Sequence, residues 1–375
     1  MIPKLSRAEW LTACIIGVVF VAHLLIIATP ADKYVYDEAL FVPAAKCMLR
    51  GLSCNPEHPP LGKAIVAGSI ALLGDNSIAW RLPSVLAGTL AVLLVFLIVR
   101  KYASEKTAMI AAFLLGVENL WFTQSSLAML DTIAVFFVLC AMLAFVHGRS
   151  VLTGTLLGIA MLTKESMALM LPVFVLHAAV MQKRAFSQKA LRAAVKAALR
   201  VVLPALAVFL AGLWVYDAAF DAFPSPVHHL AYLSEYHRTY EPPSAGGAVH
   251  PAMWLFWPKE ITYYEDAPKV RYASRQNLLA LVLFWLAVPY AWLRARKKDS
   301  LAVLGLLGIV IPLAGFSLVA FSRATYPFYA VLFLPAVCML SARFLEHQSR
   351  SVVLAVLAAV LAWFVLWFPV QLVLS

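Results

Sequence analysis

Residues 151–181 read VLTGTLLGIAMLTKESMALMLPVFVLHAAVM, and whether this stretch crosses a membrane once or twice decides the fold of the whole chain. As one helix its 31 residues would run about 46 Å, against the roughly 30 Å of a bilayer's hydrocarbon. Thr163-Lys164-Glu165-Ser166 stands near its middle, where charge is costly to bury. Two short spans joined at that turn satisfy both constraints. Every later segment changes sides if the choice is wrong.

Composition supports the membrane reading. Of the 375 residues 63% are apolar and 13% charged, and a mean hydropathy of +0.85 excludes a water-soluble globule. Runs long enough to span lie at residues 9–29, 82–99, 200–219, 277–293, 301–320, 326–342 and 351–374. Residues 107–146 are twice the needed length and carry Glu118 and Asn119 partway, which reads as two spans and a turn. With two more from 151–181 the total is eleven. The expected fold is an all-α membrane protein, a single domain over 1–375 with its amino terminus inside and no separate soluble domain. Sorted by side, 18 of the 30 Lys and Arg fall inside against four of the 19 acids, as the positive-inside rule demands. One span over 151–181 would instead put the basic segment 183–200 outside. The net charge of +11 is therefore orientation and implies no nucleic-acid partner. Lys4 and Arg7 precede an apolar run too long for a signal peptide, with no small-residue cleavage site after it, so an uncleaved first span is expected. Cys47 and Cys54 share the outer side, either bridged or as free thiols.

Two outer loops are long, 30–81 and 221–276. The first holds an apolar piece, 61–74, too short to span and suited to lie in the interface. The second, rich in Pro, Tyr, His and Trp, reads as an ordered cap. Ionisable residues collect at outer ends: Asp37, Glu38, His58, Lys63 and Arg81 from the first loop, Glu118 and Asp131 between spans 3 and 4, Lys164 and Glu165 between spans 5 and 6, Arg323 and Tyr326 at span 10. A transporter or flippase would carry its charges at span middles and show internal repeats. Here the middles are apolar apart from histidines such as His23 and His177, and no repeat is visible. Carboxylates beside cations at headgroup depth suit transfer from a lipid phosphate, with a base for the acceptor hydroxyl and cations for the departing phosphate.

Tyr36-Asp37-Glu38-Ala39-Leu40-Phe41 followed by His58-Pro59-Pro60-Leu61-Gly62-Lys63, then Trp80-Arg81-Leu82-Pro83-Ser84, Ser126 to Asp131, Gly158 to Lys164 and Arg323 to Tyr329, resembles the protein O-mannosyltransferase (dolichyl-phosphate-mannose protein mannosyltransferase) family of GT-C type membrane glycosyltransferases. The resemblance implies an inverting enzyme that moves a sugar, mannose being expected, from a polyprenyl (dolichyl) phosphate to a Ser/Thr hydroxyl of an extracytoplasmic protein. It would sit multi-pass in the cell membrane, facing outward, with membrane lipid around it. By the same resemblance Asp37 is the general base, and Glu38 orients it, binds sugar or pairs with a cation. On chemical grounds Arg81 and Arg323, whose guanidinium groups make bidentate contacts, would meet the donor phosphate or else anchor their helix ends; Lys63, unless solvated, and Lys164 would join them, and His58, Tyr326, Asp131 and Glu118 would shape donor or acceptor binding. Asp131, placed about two turns inside span 4, is expected to pair with Arg81 or Lys164. Trp80, Trp121, Trp254 and Trp257 read as an interface belt.

No cofactor is expected. His228, His229, Glu235 and His237, with His250 nearby, lack a zinc spacing, and the resembled family works without a metal. Eukaryotic relatives carry a soluble β-trefoil domain that the loop 221–276 cannot contain. A glycan or lipid acceptor, as in the similar aminoarabinose transferases, remains open beside the protein acceptor.

Overall fold

The structure, a computed structural model, describes residues 5–182, 187–239, 248–266 and 270–372. Lys4, Lys183 and Arg184, counted among the inner charges, lie outside the described residues, as do 240–247 and 267–269 of the second outer loop. The helices are α1 (Arg7–Ile26), α2 (Glu38–Leu49), α3 (Leu61–Leu73), α4 (Ser77–Arg100), α5 (Glu105–Gly116), α6 (Asn119–Ser125), α7 (Leu130–Val146), α8 (Ser150–Thr163), α9 (Leu171–Val180), α10 (Gln188–Ala197), α11 (Leu203–Phe220), α12 (Pro226–Thr239), α13 (Leu278–Arg296), α14 (Ser300–Val319), α15 (Leu334–Leu345) and α16 (Arg350–Leu366). Three short strands, β1 (Ile261–Asp266), β2 (Val270–Ser274) and β3 (Val370–Leu372), pair antiparallel in that order.

Local chemistry sets the helix starts. Ser6 and Glu9 form a reciprocal capping box on α1. Asn76, Ser104, Asn277, Asp299 and Ser349 each accept from the third backbone N–H of the helix that follows, satisfying donors that a helix terminus leaves orphaned. The centre of the bundle is α4, α5, α7 and α15, buried round most of their circumference. Leucines of α1, α11 and α16 face outward. Close approach needs glycine in α8, where a Cβ on Gly154 would stand 2.2 Å from the Val201 carbonyl and one on Gly158 2.5 Å from that of Ala205.

Among the described residues five helices are long and apolar enough to cross a membrane alone, Arg7–Ile26, Ser77–Arg100, Gln188–Phe220, Leu278–Arg296 and Ser300–Val319, and a sixth arises if the α6–α7 pair, bent by 107°, is one span. Both stretches expected to split do split. Glu118 ends one segment and caps α6 by accepting from Trp121 N, and Lys164, extended at φ −153° and ψ 126°, separates α8 from the 3-10 turn Glu165–Met170.

Three expectations are corrected. A second break at 126–129 starts α7 at Leu130, so Asp131 sits in the first turn of its helix rather than two turns deep. The run 326–342 begins as a 3-10 turn, Pro327–Leu332, and becomes α-helical only at Leu334. The run 351–374 is helical only to Leu366, because Pro369 cannot continue the ladder, and its end becomes β3. The second outer loop is ordered over its described part as α12, β1 and β2, with Glu260 pairing Arg271 and Arg275 and the Arg275 guanidinium 3.5 Å over the Trp367 ring. Cys47 and Cys54 are joined as a disulfide with Cα atoms 6.0 Å apart.

Candidate active site

The first outer loop is fastened before it is functional. Glu38, fully buried, accepts from Arg81 Nε at 2.8 Å and Nη2 at 2.9 Å, and from the backbone N–H groups of Val35 and Ala128, both at 2.9 Å. Arg81, 0% exposed, spends Nη1 on the carbonyls of Ile27, Thr29 and Pro30 and a second Nη2 hydrogen on Lys33 O. One bidentate pair thus ties the loop to α4 and to the break before α7. Every Arg81 N–H is engaged, so the expected phosphate contact from Arg81 is not available. Glu38 takes the cation-pairing role among its alternatives.

Asp37, the neighbour of Glu38, takes no part in this fastening. Tyr36 holds a left-handed backbone at φ 55°, a conformation that costs a non-glycine residue energy. Its ring is fixed edge-on against Tyr263 (5.2 Å) and Phe328 (5.6 Å). Asp37, half-buried, follows at the start of α2 and its carboxylate accepts no hydrogen bond among the described residues. Burial lifts its pKa to about 6, with Lys164 pulling it down, Asp131 pushing it up and His58 pulling it down. A carboxylate so tuned, and without a partner, is suited to take a proton near neutral pH.

Lys164 lies in the turn after α8, its ammonium 2.5 Å from Asp131 Oδ2 and 5.2 Å over the Tyr329 ring. Asp131 therefore pairs with Lys164, as one of the two expected partners. Lys63 donates to the carbonyls of Asn55 and, at 2.7 Å, His58. Its head group staples the His-Pro-Pro turn instead of facing a phosphate, and burial lowers its pKa to about 8. Glu118 also turns away from the site, because its second oxygen accepts from Asn277 N at 2.8 Å and so ties α6 to α13. Tyr326 stacks on Phe328 at 5.5 Å, while Tyr329, one turn on, lines the cavity.

That cavity, about 390 Å³, joins residues that the sequence scatters. Its polar end carries Lys164, Glu165, His58, His237 and Arg323, and its apolar side Ala168, Leu169, Phe316 and Val319. Glu165 bridges the two histidines, at 3.3 Å from His58 Nδ1 and 3.3 Å from His237 Nε2. Arg323 Nη1 reaches His237 Nδ1 at 2.5 Å. Glu165 is among the ionisable residues expected at the outer ends and His237 among the candidate metal ligands, but neither carries an assigned role in the expected site. Glu165's place beside Lys164 in a polar turn was the available signal for it, and His237 had been grouped with its helix neighbours.

The neighbours do not assemble as a metal cluster. His229 pairs with Asp217, His228 with Ser225, Glu235 with Arg238, and His250 caps Ala252. The ligand atoms that do converge are those of His58, Glu165 and His237, all within 4.8 Å. Arg323 donates to His237 Nδ1, which leaves the ring proton on Nε2, where a metal would need the lone pair. Of the two histidines only His58 is hydrogen-bonded to Glu165, through Nδ1; His237 Nε2, though 3.3 Å from the carboxylate, makes no hydrogen bond among the described residues. Of the four tryptophans expected in the interface belt, Trp121 and Trp254 are core residues, Trp80 is buried beside Lys46, and Trp257 is exposed.

Residues 57–208 match the family described as dolichyl-phosphate-mannose-protein mannosyltransferase. The chain is 32% identical over 149 residues to the polyprenol-phosphate-mannose–protein mannosyltransferase of Mycolicibacterium smegmatis, covering 36% of this chain and 29% of that one. It is 30% identical over 192 residues to the undecaprenyl phosphate-alpha-4-amino-4-deoxy-L-arabinose arabinosyl transferase of Pseudomonas aeruginosa, covering 46% and 35%. The chain thus spans about a third of the length of these curated relatives. Its fold is similar to the Saccharomyces cerevisiae protein O-mannosyltransferase Pmt1-Pmt2 complex bound to the sugar donor, with a TM-score of 0.83 at 12% identity over 100% of this chain and 90% of that one.

Proposed function

We propose that the chain is a member of the protein O-mannosyltransferase family, whose model matches residues 57–208, and that it transfers mannose from a polyprenyl-phosphate donor to a Ser/Thr hydroxyl of a protein on the outer side of a membrane. One observation carries this reading: an Asp37 carboxylate with no hydrogen-bond partner among the described residues, whose electrostatic neighbours Lys164 and His58 line a cavity that is cationic at one end and apolar along its side.

The cavity's two halves suit an amphiphilic donor. Leu169, Phe316 and Val319 would follow the isoprenoid, and Lys164 and Arg323 would hold the phosphate. Asp37 removes the proton from the acceptor hydroxyl as its oxygen attacks the anomeric carbon. The bond from that carbon to the phosphate oxygen breaks, and the charge it leaves falls to the two cations. Attack from the opposite face turns a β-linked donor into an α-linked product. Glu38 and Arg81 act at one remove, by fixing the loop that carries Asp37. The chemistry as drawn uses no metal.

Eleven crossings with the amino terminus inside would place this cavity on the outer face, because each stretch read as a span carries a helix and the basic segment 183–200 then stays inside. Labelling of Lys189→Cys by an impermeant thiol reagent from outside would overturn that orientation. A lipid acceptor is the second reading, kept open because the chain is also similar, over 46% of its length, to an arabinosyl transferase that is not described as acting on protein. Reconstituted protein given radiolabelled polyprenyl-phosphate mannose and a mixed pool of peptides and lipids separates them. Label in peptides supports the proposal, and label confined to lipids replaces the acceptor.

A further inference from the structure

Lys189, Arg192, Lys196 and Arg200 recur every three or four residues, so α10 and the turn after it carry four cations on one face. All four are exposed, and none is paired with a carboxylate among the described residues. Beside them runs a second row at the same step, Leu191, Val195 and Leu199, exposed by 65%, 50% and 56%. The row does not stop where α10 stops: Leu203, Leu206, Leu210 and Trp214, also exposed, carry it along α11.

The two helices are one continuous helix of 33 residues, roughly 50 Å long, of which the hydrocarbon takes about 30 Å. The remainder, about the length of α10, must pass through the headgroup layer, where acyl chains end and phosphates begin. There the cationic and apolar rows enclose a shallow groove of about 370 Å³, lined by 191, 192, 195, 196, 199 and 200.

We propose that this groove binds the headgroup of an anionic phospholipid, its phosphate held by Arg192, Lys196 and Arg200 and one acyl chain lying over Leu199 towards Leu203. Four uncompensated positive charges supply the complementarity, and the apolar row, continuous with that of the long apolar helix, selects a lipid over a free anion. The inference is independent of the transferase reading.

The test is reconstitution of the full chain in equal parts phosphatidylcholine and phosphatidylglycerol, gentle extraction, and native mass spectrometry of the lipid that stays bound. Wild type should retain phosphatidylglycerol over phosphatidylcholine by on the order of tenfold. Arg192→Gln/Lys196→Gln/Arg200→Gln should retain the two about equally, while Lys101→Gln/Lys106→Gln/Arg296→Gln, which removes three exposed cations elsewhere, should keep the preference. Inorganic phosphate in excess should leave the bound lipid in place. No preference in wild type, which needs no variant to fold, would overturn the proposal. So would equal loss in both triple variants, or displacement of the lipid by phosphate.

Discussion

Replacing Arg81 by Met should cost folding stability rather than donor affinity. The substitution leaves the Glu38 carboxylate buried with two backbone N–H donors, from Val35 and Ala128, and strips the carbonyls of Ile27, Thr29 and Pro30 of their partner. An ion pair broken on one side at such burial costs about 3–5 kcal/mol, and each carbonyl that stays dry adds on the order of 1 kcal/mol. In Glu38→Gln/Arg81→Met the charge is gone but the carbonyls remain orphaned, so about 2–3 kcal/mol of loss should persist. The double variant should therefore be more stable than the Arg81→Met single. Unfolding free energies in one detergent, arranged as a double-mutant cycle, measure this, with donor affinity read separately on the folded fraction. A single variant within about 1 kcal/mol of wild type, with donor binding weakened a hundredfold, would make Arg81 a phosphate ligand and refute the fastening role.

Because burial lifts Asp37 from its ordinary 3.8 to about 6, kcat/KM for transfer should be flat above about pH 7 and fall tenfold per unit below about pH 6, and a profile flat from pH 5 to 7 would contradict a base at this position. The sign for stability is opposite: the folded state holds the proton through the window from 3.8 to about 6 and the unfolded state does not, so this group's contribution is fully present below the window and is lost as pH rises through it. Gly158→Val should push α8 off α11, since even a Cβ would stand 2.5 Å from the Ala205 carbonyl, lowering stability by about 1–3 kcal/mol; Gly17→Ala, with nothing within 4 Å, should not. Arg323→Met should lower kcat/KM for transfer by on the order of a hundredfold, with Arg323→Lys recovering part of it; an unchanged rate in both would remove Arg323 from the phosphate site.

What the sequence made legible depended on distance along the chain. A charged turn inside an apolar run is visible locally, so the breaks at Glu118 and Lys164 and the gathering of Asp37, His58, Lys164 and Arg323 towards one end could be read directly. Long-range pairing could not. Arg81 has the same chemistry whether it faces a phosphate or a carboxylate 43 positions away, and only packing shows that Glu38 claims it. Glu118 and Lys63 show the same limit: a buried ionisable side chain signals a partner, and here that partner is structural, a backbone amide of Asn277 for one and the carbonyls of Asn55 and His58 for the other. Asp131 was placed too deep because the 126–129 break has no glycine or proline to mark it. β3, Val370-Gln371-Leu372, ends a long apolar run with a single polar residue in it, so the run reads as one span until Pro369 is given its weight.

The central claim is that Asp37 takes the acceptor proton, and the direct test is single-turnover transfer from polyprenyl-phosphate mannose by Asp37→Asn, with donor affinity measured on the same preparation. The amide is nearly isosteric and cannot accept the proton, so transfer should fall by about 10²–10⁴-fold while the donor still binds. Transfer within tenfold of wild type would contradict the account.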